Sequence, residues 1–164
     1  MPTWTDPDQS TSALVRALHA WWISKRGACG IPDRSDLDPI ALRHLLPNII
    51  ICEAETAPFR IRYRLVGTKV AATTGFDFTG RYLDEIIAAG SDTPWMELYA
   101  SIRESRSPLL GSVTEATTNG GTFTYEFGIF PLTVGGLAVQ QFVAIEDYFG
   151  FRFTSAELHP WPKP

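Results

Sequence analysis

The residues that could do chemistry are few, and their spacing excludes several kinds of site. Cys29 and Cys52 form neither a CxxC pair nor a metal-binding spacing, so we expect two free thiols in a reducing compartment. We expect surface or capping roles for the three histidines, His19, His44 and His159. The sequence holds no nucleophile elbow, phosphate-binding loop or HExxH motif. We therefore expect a protein that is not an enzyme and holds no metal.

Asp77 is a carboxylate with two interpretations. It lies between two phenylalanines and just before Thr79 and Gly80. In one interpretation its oxygens accept hydrogen bonds from backbone N–H groups, as short loops often require. In the other it lies at the edge of a cavity with a raised pKa and acts as a base. The structural interpretation is favoured.

The aromatic residues form either a packed core or the lining of a small apolar cavity. Aromatic side chains at strand and helix spacing are normally core, whereas hydroxyls among them could orient a ligand. Gln141 shares strand parity with Val143 and Ile145, which predicts an inward amide that needs a hydrogen-bond partner. Phe127 belongs to the ambiguous aromatic set. The candidate ligand-binding residues are Tyr63, Phe76, Phe78, Tyr82, Trp95, Tyr99, Tyr125 and Gln141.

The stretch from Phe59 to Ile87 predicts one wall of that cavity. It begins as a strand that places Phe59, Ile61, Tyr63 and Leu65 on one face and Arg60, Arg62 and Arg64 on the other. It continues as short helical segments separated by glycines. The preceding strand can pair with it in two registers. The register that avoids burying glutamates pairs Glu55 with Arg60, Glu53 with Arg62, Cys52 with Tyr63, and Ile50 with Leu65.

The periodicity along the whole chain predicts an α+β fold with an antiparallel sheet and helices on one face. A frayed lead, 1–9, precedes a helix that Ser10 or Thr11 caps and that runs to about Arg26. Asp38-Pro39 opens a short helix. The remaining predicted elements are strands over 48–55 and 60–66, helices over 68–74 and 82–89, a helix opened by 93–94, and strands over 109–118, 122–133 and 137–148.

Length and charge narrow the possible partners. A chain of 164 residues is most often one domain. With a net charge of −4 and no Lys/Arg cluster beyond the alternating arginines, we expect no nucleic-acid binding. The start has no basic and apolar leader, and no apolar run reaches the roughly 20 residues that span a bilayer. We therefore expect a cytoplasmic protein without a membrane segment.

Five segments carry a resemblance to a known family. The run from Arg62 to Glu85 is the most specific part, and the similarity extends from about Leu14 to Asp147. The segments are Pro-Asp-Arg-Ser-Asp-Leu-Asp-Pro at 32–39, Leu-Leu-Pro at 45–47, Tyr-Arg-Leu-Val-Gly-Thr at 63–68, Gly-Phe-Asp-Phe-Thr-Gly-Arg at 75–81 and Leu-Asp-Glu at 83–85. With the element order they resemble the PAS domain, in particular a stand-alone bacterial PAS family of a kind common in alphaproteobacteria.

The resemblance implies a five-stranded antiparallel sheet in the order 2-1-5-4-3, with short helices over one face. It implies three segments, namely an N-terminal helical extension at 1–31, a PAS-like domain at 32–150 and a tail at 151–164. It also implies a role in sensing or signal transduction. Such sensors are often fused to an output module, so we expect this one to act on a signalling protein in trans.

The resemblance also bears on cofactors. A haem-binding PAS domain usually has a histidine on a pocket helix, and no histidine lies between Thr68 and Ser105. A flavin photosensor of this fold has a pocket-helix cysteine, whereas Cys29 precedes the domain and Cys52 lies on a strand. Haem and covalently attached flavin are therefore disfavoured and no cofactor is predicted. A small apolar ligand is possible, and we expect any occupant to be held without covalent or metal bonds.

Three functional hypotheses follow. The leading one is a sensory or regulatory domain that binds a small molecule, a protein partner or both. The alternative is an interaction module with a filled core, which forms a homodimer through its N-terminal helix. The third, and the least favoured, is a small α+β enzyme that uses Asp77 as a base.

Overall fold

The computed structural model describes residues 1–27, 30–87, 93–116 and 121–151. Cys29 and His159, and the predicted turn at 119–120, lie outside these ranges. The helices are α1 (Ala13–Ser24), α2 (Thr68–Thr74), α3 (Leu83–Ile86) and α4 (Trp95–Ser105). The strands are β1 (Thr3–Trp4), β2 (Ile49–Thr56), β3 (Phe59–Val66), β4 (Leu109–Ala116), β5 (Thr122–Thr133) and β6 (Val139–Asp147).

The described strands form one antiparallel sheet in the order β1-β4-β5-β6-β2-β3. Without β1, this is the predicted order 2-1-5-4-3 read from the opposite edge, so the expected α+β architecture is confirmed. The sheet has a sixth strand because the N-terminal lead, predicted to be frayed, pairs with β4. Thr3 lies opposite Gly111, and the amide of Ser112 donates to the carbonyl of Pro2 at 3.1 Å. A Cβ on Gly111 would lie only 2.8 Å from that carbonyl oxygen, so glycine permits the pairing.

The β2–β3 hairpin confirms most of the predicted register. Cys52 pairs with Tyr63, and the two glutamates of β2 pair with Arg60 and Arg62 as expected. A β-bulge between Ile51 and Cys52 shifts the remaining pairs, so Leu65 lies opposite Ile51 and not opposite Ile50. A bulge reverses which side chains face the core. Leu65, which was predicted to lie on the apolar face of the strand, is therefore 42% exposed.

Helices cover both faces of the sheet, whereas the periodicity predicted helices on one face. On one face, α1 packs against β5 and β6 through Val15, Leu18 and Trp22, which are all buried. The indole of Trp22 donates to the carbonyl of Pro131 at 2.8 Å, and its ring lies against Phe130. On the other face, α2, α3 and α4 enclose a cavity. The N-terminal helix is thus one layer of the domain's own core.

Two predicted helices are shorter than their sequence patterns suggested. The residues after Asp38 form hydrogen-bonded turns that lead into a 3₁₀ helix, Leu46–Asn48, and not an α-helix. The carboxylate of Asp38 still accepts from the amide of Ile40 at 2.8 Å, as a capping residue does. The helix predicted over 82–89 is the single turn α3, and 88–92 lie outside the described residues.

Candidate functional site

A cavity lies between the sheet and the three short helices. Its volume is about 50 Å³. The strands supply its floor and the helices its roof. The lining residues are Ile50, Tyr63, Thr74, Phe78, Leu83, Ile86, Ile87, Trp95, Tyr99, Phe123, Tyr125, Phe127, Ile129, Ala144, Ile145, Glu146 and Tyr148.

Five of the eight candidate ligand-binding residues line this cavity. They are Tyr63, Phe78, Trp95, Tyr99 and Tyr125. Tyr63 meets Phe78 edge to face with ring centres 4.6 Å apart, and Trp95 meets Phe127 in the same way at 5.1 Å. Edge-to-face pairs of this kind hold aromatic rings in one orientation. The rings are therefore both a packed layer and a cavity lining.

Phe76 and Tyr82 lie outside the cavity lining. Phe76 is half-buried and packs edge-on against Phe78, with ring centres 5.6 Å apart. Tyr82 lies at the outer edge of the sheet, where its hydroxyl donates to Glu55 at 2.8 Å. The guanidinium of Arg60 stacks on its ring at 3.6 Å. These partners hold Tyr82 at the surface, because a hydroxyl and a ring face that are already paired need no ligand.

Gln141 lies on the opposite sheet face from the cavity. The cavity face of β6 carries Phe142, Ala144 and Glu146, whereas Gln141 pairs with Leu132 on the face covered by α1. The expectation of an inward amide toward the cavity was wrong. Both faces of β6 are apolar because helices cover both, so alternation could not distinguish them. The Oε1 atom of Gln141 is buried and accepts no hydrogen bond from the described residues.

The arginines of β3 are paired, but mostly with partners other than those predicted. Arg60 contacts Asp84 of α3 at 2.8 Å, and Arg64 contacts Glu53 at 3.5 Å. Arg62 donates to the carbonyl of Gly80 at 3.3 Å. The outer face of β3 is thus engaged in contacts with the loop and helix beside it.

Asp77 has the structural role. It is exposed, and its carboxylate accepts from the amide of Thr79 at 2.9 Å. This contact closes a tight turn in the loop before α3. Asp77 is absent from the cavity lining.

The sequence reasoning missed Glu146, a carboxyl group in the cavity. Its Oε2 atom accepts from the hydroxyl of Tyr148 at 2.5 Å, and both residues line the cavity. Burial raises the pKa of Glu146 to about 7, although the hydrogen bond from Tyr148 opposes this rise. A glutamate and a tyrosine two residues apart at the end of an apolar strand share a face, and this spacing was the available signal.

The buried hydroxyls around Glu146 stay protonated at neutral pH. Burial, with a further contribution from the charge of Glu146, places the pKa values of Tyr63, Tyr99, Tyr125 and Tyr148 well above the usual value. Burial also raises the pKa of the Cys52 thiol to about 12, and its sulfur lies 3.4 Å from the Tyr99 hydroxyl. Glu146 is thus the group of this cluster that changes charge near neutral pH.

The rest of the described chain has few alternative sites. Within the described ranges no group of three or more His, Cys, Asp or Glu side chains could hold a metal ion. No helix in these same ranges is long and apolar enough to cross a membrane.

Comparisons with known proteins agree with this geometry. A family model described as the PAS domain matches residues 10–143. The sequence has no match among curated proteins. Among solved structures, an RNA-binding Light-Oxygen-Voltage receptor superposes with a TM-score of 0.51 and 21% identity, over 73% of this chain and 36% of that one. A Light-Oxygen-Voltage domain studied with a flavin analogue has a TM-score of 0.50 and 16% identity, over 73% of this chain and 86% of that one.

This chain spans about a third of the length of the first of these receptors. Because both structures have low sequence identity to this chain, the similarity shows a shared fold and no more. The family match covers most of the chain and includes α1, the strands β2 to β5, the helices over the cavity and the first half of β6. Its fold supports a signal-sensing role. From the sheet order, the enclosed cavity and this match, the chain belongs to the PAS domain family.

Proposed function

We propose that this PAS domain senses a signal by binding a small molecule in its cavity without a covalent bond, and passes the change to a protein partner. The observation that carries the proposal is the cavity itself, with its aromatic lining and one carboxyl group. The cavity volume of about 50 Å³ is larger than the roughly 10–15 Å³ that one water molecule needs. A ligand there would contact β3, β5, β6 and α4 together, and could therefore alter their packing.

The proposed occupant is small and is neither a flavin nor a haem. Sites for larger ligands usually enclose roughly 300–1,000 Å³, which exceeds the space in this cavity. Cys52 is absent from the lining, and burial keeps the pKa of its thiol at about 12, so a reactive thiolate is disfavoured. His19 packs against Phe130 on the α1 face, and His44 is exposed. Neither histidine is placed to ligate iron in the cavity.

Sensing without catalysis fits the same residues. The exposed position of Asp77 speaks against its use as a base in the cavity, and the tyrosine pKa values favour neutral hydroxyls. With a net charge of −4 and paired β3 arginines, nucleic acid is not part of the proposal. The proposed setting is cytoplasmic.

Native mass spectrometry of the purified protein tests ligand binding directly. We expect the spectrum to show protein with a bound small molecule, either as purified or after incubation with a small-molecule extract. This adduct should disappear in Ala144→Leu, because the larger side chain fills the cavity. Ala100→Leu is the matched control, since Ala100 is exposed on α4. An adduct that survives Ala144→Leu would contradict the cavity as its site. No adduct in either protein would favour a filled core.

The second candidate is a homodimer formed through α1. Ile23 is 44% exposed on this helix, and the indole nitrogen of Trp21 is buried without a hydrogen-bond partner among the described residues. Ile23→Glu should halve the solution mass measured by light scattering if the helix forms the dimer. Ala13→Glu is the control, since it adds the same charge at the other, exposed end of α1. An unchanged mass for Ile23→Glu would contradict this interface.

A further inference from the structure

The cavity has an uneven balance of charge. Among the described residues that line it, Glu146 is the only one with a carboxyl group, and none is a lysine, arginine or histidine. The remaining polar groups are hydroxyls and an indole. An anionic ligand would meet a carboxylate and no compensating cation, which is unfavourable in a poorly solvated space.

The carboxyl group has one oxygen available to a ligand. Oε2 of Glu146 accepts from Tyr148, whereas no donor among the described residues reaches Oε1. The side-chain amide of Asn48 approaches the same residue but donates to its backbone carbonyl, at 2.7 Å. Carboxylates removed from solvent are normally paired with a cation or with several donors. Glu146 is half-buried, and Oε1 is the atom at which a ligand that displaces water from the cavity can supply such a partner.

The aromatic lining suits a positive charge. The faces of aromatic rings carry negative potential and attract cations within about 6 Å of the ring centre. Tyr63, Trp95, Phe127 and Tyr148 all line the cavity. The opposing strand positions Phe127 and Glu146 place an aromatic ring and the carboxyl group side by side on the cavity face.

The volume limits the size of the ligand. At roughly 10–15 Å³ per water, a space of about 50 Å³ holds only a few water molecules. A ligand of about five heavy atoms is comparable in size. It needs a charged end and a short apolar body, because Ile129 and Ala144 lie next to the carboxyl group.

We propose that the cavity binds a small organic cation, with its ammonium group donating to Oε1 of Glu146 and its apolar body against Phe127 and Ile129. This inference rests on the proposed ligand-sensing function and specifies the chemical class of the ligand. The cation supplies the positive charge and the donor that the lining lacks. An alkylammonium ion is the simplest molecule with both features.

Binding also has a defined proton balance. The pKa of Glu146 lies near 7, so below that pH the carboxyl group carries a proton that must leave for the buffer when the cation binds. Among the described residues, the titratable groups around Glu146 are Tyr63, Tyr99, Tyr125 and Tyr148, whose pKa values lie well above the usual one, and Cys52, whose pKa is about 12. None of them takes up that proton near pH 7. Cation affinity should therefore rise with pH through about 7 and then level off.

Three probes with the same apolar body test the inference by calorimetry at pH 8. They are butylammonium, 1-butanol and butyrate, which are cationic, neutral and anionic. The wild-type protein should bind butylammonium at least tenfold more tightly than butanol and should not bind butyrate. Glu146→Gln keeps the shape of the side chain and removes its charge. It should bring the two affinities within about twofold of each other.

The outcomes separate the inference from the proposed function. Equal affinities for butylammonium and butanol in the wild-type protein would overturn the cation inference and leave a ligand-binding cavity in place. Tighter binding of butyrate would overturn it too. Binding of none of the probes, with no native adduct, would overturn both. Two-dimensional amide spectra of Glu146→Gln establish that the variant is folded, and Tyr148→Phe, which retains the carboxyl group, should keep the preference for butylammonium.

Discussion

Two glutamates on adjacent strands of the sheet have opposite environments. Glu126 of β5 faces α1, and Glu146 of β6 faces the cavity. Glu126 is only 6% exposed but accepts four hydrogen bonds from Ser10, Thr11 and Ser12, at 2.5–3.1 Å. From the described part of the chain, the Glu146 carboxyl group accepts one hydrogen bond, from Tyr148.

The difference appears in the acidity of the two groups. Burial alone would raise the pKa of Glu126, but the donors before α1 outweigh burial and hold its pKa below the usual value. For Glu146 burial dominates, and the pKa rises to about 7. The charge of a carboxyl group in the fold therefore depends on the balance between desolvation, which favours the neutral form, and hydrogen-bond donors, which favour the charged form. Glu126 attaches the N-terminal segment to the sheet, whereas Glu146 faces the cavity with Tyr148 as its hydrogen-bond donor.

The largest expected effect is the loss of the Glu126 attachment. Glu126→Ala leaves the donors of Ser10, Thr11 and Ser12 without an acceptor, and should lower the free energy of unfolding by about 3 kcal/mol. Urea denaturation at pH 7 measures this. Glu53→Ala is the control, because the side chain of Glu53 is 38% exposed and its contact with Arg64, at 3.5 Å, is a surface ion pair. Similar losses of unfolding free energy in the two variants would contradict the stabilising role of the hydrogen bonds to Glu126.

The next effect is a pH dependence that belongs to Glu146. Its folded pKa, about 7, exceeds the ordinary value of 4.5, so the folded state binds the proton more tightly than the unfolded state. Stability is then greatest below about pH 4.5 and falls as the pH rises to about 7, by up to roughly 3 kcal/mol. We expect Glu146→Gln to remove this fall.

Denaturation at pH 5, 6, 7 and 8 measures that effect as the difference between wild type and Glu146→Gln. The difference is needed because the pKa of His19 is lowered by burial, so His19 lowers stability as the pH falls below 6.5. Glu126 and Asp33 have lowered pKa values and act only at more acidic pH. A difference that does not change between pH 5 and 8 would show that Glu146 has an ordinary pKa.

The sheet face covered by α1 should be more tightly packed than the cavity face. A Cβ on Gly128, which faces α1, would lie 2.7 Å from the buried ring of Phe130, so Gly128→Ala should cost about 1–3 kcal/mol. Ala144→Val adds more volume on the cavity face and should cost less than about 1 kcal/mol because space is present. Thermal denaturation of both variants compares them. A larger loss in Ala144→Val would mean that the cavity face is the more tightly packed.

The smallest expected effect tests the hydrogen bond that Tyr148 donates to Glu146. Tyr148→Phe removes the hydrogen bond that lowers the pKa of Glu146, and should move that pKa above about 7. The cost in stability is about 1 kcal/mol. Carbon-detected NMR titration of the glutamate carboxyl groups follows the change, with Glu126 as an internal reference. A lower pKa in Tyr148→Phe would contradict the donor role.

Much of the fold could be predicted from local patterns. The hairpin strands around the Cys52–Tyr63 pair, α2 with its closing Gly75, and the strands β4 to β6 follow from alternation, caps and turn residues. These signals are local, because each depends on residues a few positions apart. The bulge beside Ile51 and the pairing of Thr3 with Gly111 were missed, since neither changes the local hydrophobic period.

The candidate site was predictable in its aromatics and not in its carboxyl group. Tyr63, Phe78 and Tyr99 line the cavity because bulky rings at these spacings must face some interior. The side to which β6 turns each residue was not predictable, because helices cover both faces and both parities are apolar. Gln141, predicted to be the inward polar group, therefore lies on the α1 face, and Glu146, which the sequence reasoning missed, lies on the cavity face.

By itself the sequence determined the element types, the sheet order implied by the family resemblance, and an interior rich in aromatic side chains. These depend on hydrophobic period and turn chemistry, which act over short distances along the chain. The tertiary structure alone decided which glutamate meets donors and which meets a cavity. Ser10 and Glu126 lie 116 residues apart in the chain. The charge of a buried carboxyl group depends on such contacts in space, because its pKa follows from the donors and the solvent that surround it.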